Sequence, residues 1–546
     1  MRESNGYLTV NYVGILQQHI FLAEIFWQEG VITEIKRLGE ENSEYSYLIP
    51  GFIDAHVHIE SSMLTPVEFS RLATRHGTVA SVSDPHEIAN VMGLAGIRYM
   101  LENATLTPFK IFFGAPSCVP ATPFETAGAT LDAVALESLF ESGEVSYLSE
   151  MMNYPGVLNK DPDVWAKLKL AQNYHCPIDG HAPGLMGEQV EQYVQAGIST
   201  DHECSTLEEA EQKLAAGMQI LIREGSAARN FDALHRLISC YPEQVMFCSD
   251  DKHPDDLLAG HISQLAARAV ELGHDVFKVL RCACINPVVH YDLAVGQLKV
   301  GDAMDAVMLK DLITLTPLKT WVNGELVAEQ GKSFITSVIT KPCNQFQARK
   351  VTADDFLIPA TSEKVRVIKA LDGELFTPEW QTTPKVEQGY IVPDKERDIL
   401  FLTVINRYQK VPPTVALIHG FGLQQGALAS TVAHDSHNII AVAADIGSLC
   451  IAVNGIIDQQ GGIAACHQGT LDILPLPIAG LMSDQSAEVV AEHYAQLDRQ
   501  AKQLGSKLRA PFMTLSFMAL LVIPELKLSD QGLFDGRTFQ FTSLEV

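Results

Sequence analysis

Two histidines stand one residue apart in the stretch "PGFIDAHVHIESSMLTP" (residues 50–66), at the end of a short apolar run. In an extended strand, residues i and i+2 face the same way, so His56 and His58 can reach one cation together. Asp54 lies on that face one step deeper. Four more residues of metal-binding type close apolar, strand-like runs: Glu150 in "VSYLSEM", His181 in "PIDGHA", His202 in "ISTDHE" and Asp250 in "QVMFCSDD". Four imidazoles and two carboxylates suit a borderline divalent transition metal: manganese, iron or zinc. Six ligands exceed the needs of one tetrahedral ion, which points to two ions sharing a bridging carboxylate. The chemistry of such a pair is hydrolysis. Metal binding lowers the pKa of water from about 15.7 to about 7. That shift is worth on the order of 12 kcal/mol at ~1.36 kcal/mol per unit.

Each motif alone has a plainer reading. A lone H-x-H is more often a pair of core or surface histidines. "SDDKHPDD" alone reads as a solvated helix start, because Asp and Pro favour helix N-termini. In "SDPHEIANVMG", Asp84 suits an N-cap, Pro85 the first helical position and Glu87 its reciprocal partner, a capping box. That leaves His86 free to face a pocket. What raises the metal reading above chance is that the ligand types recur at successive strand ends.

The elements that would position them alternate. From residue 50 to about 290, short apolar runs such as "TVASVSD" and "MQILIREGS" are each followed by a longer amphipathic stretch. Repeated β–α units imply a parallel sheet covered by helices. About eight such strands favour an α/β fold of the (β/α)8 TIM-like barrel type, whose chemistry sits at the carboxyl ends of its strands. Residues 1–49 and 291–340 read as β-rich and are expected to form a small composite β domain from both flanks. Residues 341–546 are expected to form a separate α+β domain.

Composition sets the class. The chain has 546 residues, 47% of them hydrophobic, with 66 acidic against 39 basic side chains and a formal charge of −27. No basic run interrupts this, which excludes nucleic-acid backbone binding as an expected role. Ten scattered cysteines without a CxxC pair point to a reducing compartment. No signal-peptide pattern opens the chain, and "FMALLVIP" is too short to span a bilayer. A cytoplasmic protein with no membrane partner is expected.

Several stretches resemble the bacterial adenine deaminase family of the amidohydrolase superfamily. They include "PGFIDAHVHIESSMLTPVEF", "DPHEIANVMG", "SEMMNYPGV", "IREGSAARN", "CSDDKHPDDL" and "GFGLQQGALASTVAHDSHNI". The H-x-H marks only the superfamily; the ESSM, DPHE and AHDSHN segments are more specific. The resemblance implies a manganese or iron centre of two ions per subunit, with zinc as the alternative. It implies hydrolysis of adenine to hypoxanthine and ammonia for purine salvage, in a homo-oligomer, expected to be a dimer. It assigns His56 and His58 to the first metal and His181 and His202 to the second. Glu150 stands where many superfamily members carry a bridging modified lysine, and Asp250 is a ligand and proton carrier. Two departures stand out: the first 45 residues match only loosely, and Ser149 replaces an expected glycine.

Attack of water at C6 of the purine also requires a proton on ring N1. Glu203, His86 and Asp251 are the candidates, and Asp251 could instead accept a hydrogen bond from the purine. Arg223 and Ser226, in "IREGS", are candidates for positioning the base, with capping or ion pairing as the plainer alternative. "AHDSHN" (433–438) reads either as an Asx-type turn or as a loop closing over the barrel mouth. The competing functions are a hydantoinase-like cyclic-amide hydrolase and a deaminase of another aminopurine. A non-catalytic, decayed barrel would lack ligands, and none is missing.

Overall fold

Eight short parallel strands carry the polar residues singled out above. They are described in a computed structural model covering residues 5–546. The strands are β1 (Phe52–Val57), β2 (Thr78–Ser83), β3 (Lys110–Ala115), β4 (Tyr147–Met151) and β5 (Ile178–Gly180), which form one parallel sheet in that order. Strands β6 (Thr200–Asp201), β7 (Gln219–Arg223) and β8 (Val245–Cys248) form a second parallel sheet. The two sheets meet at both edges. Ser199 N donates to Ile178 O at 2.9 Å on one side. On the other, Asp250 N donates to His56 O at 2.9 Å, and Val57 bridges Asp250.

The local reason for these strands is their text. "FIDAHV" and "TVASVS" are buried along their whole length, as strands covered on both faces must be. Helices follow the strands, for example Pro66–Arg75, Ala133–Glu141, Pro162–Asn173, Leu207–Ala215 and Ile262–Glu271. Two of these helices are capped by the aspartate before them: Asp132 accepts from Ala135 N and Asp161 from Val164 N.

A separate eight-stranded sheet draws on both flanks. Its order runs Lys332–Ser333, Glu325–Glu329, Pro317–Val322, Ala306–Leu309, Tyr47–Pro50, Gly6–Gly14, His19–Gln28 and Val31–Glu40. Strand Tyr47–Pro50 is the hinge of this arrangement, antiparallel to Ala306–Leu309 and parallel to part of Gly6–Gly14. It leads within two residues into β1.

Beyond residue 364 lies another eight-stranded sheet, mostly antiparallel, backed by helices Ile446–Gln459 and Ala487–Gln503. Besides apolar clusters of its own, this segment shares one with the region of the parallel strands. Ile59, Leu64, Phe69 and Ile88 from the region of the parallel strands share one apolar cluster with Phe421, Leu428, Leu515 and Met518. Polar ties cross the same boundary. Glu68 accepts from Ala487 N at 2.8 Å, and Ser483 N donates to Met63 O at 2.9 Å.

The capping-box expectation at "SDPHE" is corrected. The helix starts at His86, and Asp84 accepts from His86 N at 3.1 Å. Glu87 does not return to the helix start. Glu60, from the turn Ile59–Ser62, accepts from Ile88 N at 3.2 Å instead. Glu87 is engaged by a distant histidine.

Candidate metal and catalytic site

The carboxyl ends of the strands aim six side chains at one buried point. His56 lies within β1 and His58 one residue beyond it; Glu150 lies within β4. His181 and His202 directly follow β5 and β6, and Asp250 comes two residues after β8. His56 Nε2 and His58 Nε2 are 3.2 Å apart. Both lie near Asp250 Oδ1, at 3.4 and 3.2 Å. Glu150 is central: Oε1 is 3.3 Å from His58 Nε2, and Oε2 is 2.9 Å from His181 Nδ1 and 3.2 Å from His202 Nε2. All six are buried.

Electrostatics draw positive charge to this point. Burial pushes Glu150 up, yet His181 and His202 hold it well below the usual carboxylate range. Asp250 is likewise held low, against its burial, by Arg223 and by His56 and His58. Burial disfavours charge on His202, but Glu150 lifts it to about 9. His56 is lowered by burial and by the neighbouring His202.

The donor set fits a metal. Nε2 of His56, His58 and His202, Nδ1 of His181 and the carboxylate oxygens of Glu150 and Asp250 crowd within reach of a common centre. Buried imidazole nitrogens packed with carboxylates are the ligand set of a borderline divalent cation. His56, His58 and Asp250 make one compact ligand group, and His56, Glu150 and His202 another.

The other sequence candidates divide. Arg223 ends β7 and lines the cavity. Its guanidinium donates to Asp250 Oδ2 at 2.7 Å and engages both oxygens of Glu203. Glu203 reaches the cavity but is tied to that arginine. Asp251 lines the cavity, with Oδ1 accepting from Ser61 Oγ at 2.6 Å. Burial lifts the Asp251 carboxyl to about 6. His86 also lines it, with Nδ1 3.0 Å from Asp84 and Nε2 3.7 Å from Asp435.

Ser226 is the exception. Its hydroxyl donates to Asp256 at 2.6 Å and accepts from His253 N at 2.8 Å, and it does not line the cavity. The chain turns away after Arg223, so these two residues of "IREGS" serve different sides of the loop.

Glu87, His434 and Asp435 complete the rim, the last two from the AHDSHN segment whose functional reading puts His434, Asp435 or His437 near the substrate. His434 Nδ1 lies 2.8 Å from Glu87 Oε1, and Ser61 Oγ lies 3.1 Å from the same oxygen. Asp435 also lines the cavity. The "AHDSHN" segment is therefore a wall of the cavity, beyond the Asx-turn reading. The signal was present in the sequence: Ser61, Glu87 and His434 belong to the ESSM, DPHE and AHDSHN stretches.

The "Amidohydrolase family" profile matches residues 47–327, and the "Adenine deaminase C-terminal domain" profile matches residues 374–540. An adenine deaminase of Salinibacter ruber is 53% identical, covering 95% of each chain. One of Methanosarcina barkeri is 50% identical, covering 98% of this chain and 99% of its own. A solved β-aspartyl dipeptidase of Fervidobacterium islandicum AW-1 aligns with a TM-score of 0.47 at 14% identity, covering 60% of this chain and 97% of that one.

Proposed function

The chain belongs to the adenine deaminase family of the amidohydrolases, and from that premise we infer that it hydrolyses adenine to hypoxanthine and ammonia. The observation that carries this reading is the buried convergence of four imidazoles and two carboxylates beneath a rim built from family-specific segments. We read the eight parallel strands as a (β/α)8 barrel over residues 50–290. The flanks 1–49 and 291–340 are read as one β domain, and 341–546 as the C-terminal domain.

His56, His58, His181, His202, Glu150 and Asp250 would hold two divalent ions. Bound manganese or iron, or zinc as the alternative, supplies Lewis-acid activation of water. In this reading Glu150 is the shared carboxylate, which its contacts with three of the four histidines support. Asp250 takes the proton released on attack at C6 and returns it to the departing amine, a general base and then a general acid. Arg223 fixes the Asp250 carboxylate through Oδ2, leaving Oδ1 turned toward the histidines.

The proton for ring N1 is assigned to Asp251. Glu203 is disfavoured for that step because both its oxygens already accept from Arg223. Asp251 faces the cavity and is oriented by the Ser61 hydroxyl. His86 and Asp435 form the opposite part of the rim and would bind the purine edge. The polar side chains that line the site are buried, where each contact is worth more than in bulk water.

The enzyme is further read as a cytoplasmic homodimer in purine salvage, which light scattering can check for the dimer. Purified protein loaded with manganese or iron should convert adenine to hypoxanthine, followed by ultraviolet absorbance and ammonia release. Metal analysis should find two ions per chain. Metal-replete protein inert on adenine but active on another aminopurine would overturn the substrate. A cyclic-amide hydrolase needs no ring acid, and the match to an adenine deaminase C-terminal domain argues against it.

A further inference from the structure

Beside the catalytic cavity, the segments that follow β7 and β8 wall a second cavity of about 260 Å³. Pockets for drug-sized ligands start at roughly 300 Å³, so this one suits a smaller guest. Its walls are rich in cations although the chain carries a formal charge of −27. Arg229 and Lys252 come from those two segments, Arg268 from helix Ile262–Glu271, and Arg509 from the stretch before helix Pro511–Phe517.

The carboxylates present leave two of these four cations without an ion-pair partner. Arg229 approaches Glu224 at 3.4 Å and Asp256 at 3.6 Å. Arg268 is paired with Asp232 and also leans on Glu224 at 3.4 Å, and Asp256 also accepts from Ser226. Lys252 stands apart. It is only 5% exposed, and its ammonium reaches the carbonyl oxygen of Glu224 at 3.5 Å. Among the described residues, no carboxylate lies within ion-pair distance of Lys252 or Arg509. Nε of Arg229 is buried without a partner.

An unpaired buried ammonium is costly, and the cost is offset when an anion is paired with it. A lysine point charge with arginine forks is a phosphate-binding set. In barrels of parallel strands, the loops after the seventh and eighth strands are a frequent place for phosphate groups.

We propose that this cavity is a binding site for a phosphate-class oxyanion, held by Lys252, Arg229 and Arg509. The guest is a free anion or a small phosphate monoester, and it takes no part in the deamination chemistry.

The test uses full-length, metal-loaded enzyme and calorimetric titration at constant ionic strength, with chloride as control. The probes are inorganic phosphate and glycerol 3-phosphate, a monoester without a purine. Saturable binding of at least one probe is expected, and the tighter of the two identifies free anion or ester. Arg509→Ser and Lys252→Met should each weaken binding about tenfold, the loss of one charge-assisted contact. Adenine turnover by Arg509→Ser should be unchanged. Heats no larger than those of chloride would overturn the proposal. So would wild-type affinity in the variants, which would move the binding to the metal centre. Should Lys252→Met fail to fold, Arg509→Ser, at an exposed position, decides alone.

Discussion

His434 Nδ1 lies 2.8 Å from Glu87 Oε1, which joins the C-terminal sheet's loop to the rim of the parallel strands. The imidazole also stacks against Phe517, with ring centroids 5.1 Å apart. Glu87 and Asp251 raise His434 to about 9, against its burial. The pair is thus a charged contact in a buried setting, and it fixes the wall facing the substrate. Removing the ring in His434→Ala leaves Glu87 without its main partner and frees Asp251 and Asp435 to shift. A misplacement of about 1 Å at a reacting centre can cost roughly a hundredfold. A fall in kcat/KM of that order is expected, with metal content unchanged. Loss of the metals in this variant would instead place His434 in the metal-holding structure.

Asp250 carries the proton in the proposed mechanism, and it also faces two of the histidines proposed to hold the metals. Asp250→Asn keeps the shape and one oxygen but removes the base. General acid–base groups contribute about 10²–10⁴ in rate, so turnover should fall at least that far while most of the metal stays bound. Glu150→Gln should behave differently, because that carboxylate touches His58, His181 and His202. Its metal content should fall along with its activity. Near-normal turnover by Asp250→Asn would refute the shuttle.

Part of this site was legible in the sequence because its logic is local. His56 and His58 follow from period-2 spacing, and His181, His202 and Asp250 each end an apolar run. Glu87 was misread for the opposite reason. Its local context is a good capping box, but a contact with His434, far away in the chain, takes the carboxylate. No spacing rule reaches that distance. Arg223 and Ser226 show the same limit at short range. The strand ends at Arg223, and Asp256 captures the Ser226 hydroxyl on the outer side of the loop. The shared core between the parallel strands and the C-terminal sheet was also invisible, since apolar periodicity marks a buried face but not what covers it.

Arg223 holds Glu203 and Asp250 together in a buried triad. Breaking such a set by removing one partner typically costs about 3–5 kcal/mol, because the remaining charge is left uncompensated. Arg223→Met should therefore lower the melting temperature and kcat together. Arg223→Lys should not rescue the rate, because an ammonium cannot reproduce a fork that engages two carboxylates at once. A wild-type kcat in Arg223→Lys would show that charge alone, without geometry, is what Asp250 needs.

Lys527 offers a stability test away from the metals. It is fully buried, and its Nζ donates to Leu375 O at 2.7 Å and Phe517 O at 3.0 Å. Burial lowers its pKa to about 7, whereas an unfolded lysine titrates near about 10.4. Between these values the unfolded chain binds the extra proton. Stability contributed at this position therefore rises with pH across that window, and is lost as pH falls toward about 7. The span corresponds to a few kcal/mol, on the order of 1.4 kcal/mol per pH unit. Lys527→Met removes the titrating group, so its melting temperature should change less steeply than that of wild type between about pH 7 and 9. The two carbonyls lose their donor in the variant, which costs stability at every pH and leaves the slope as the informative quantity. Parallel melting curves for the two proteins across that range would show that Lys527 remains charged in the folded state.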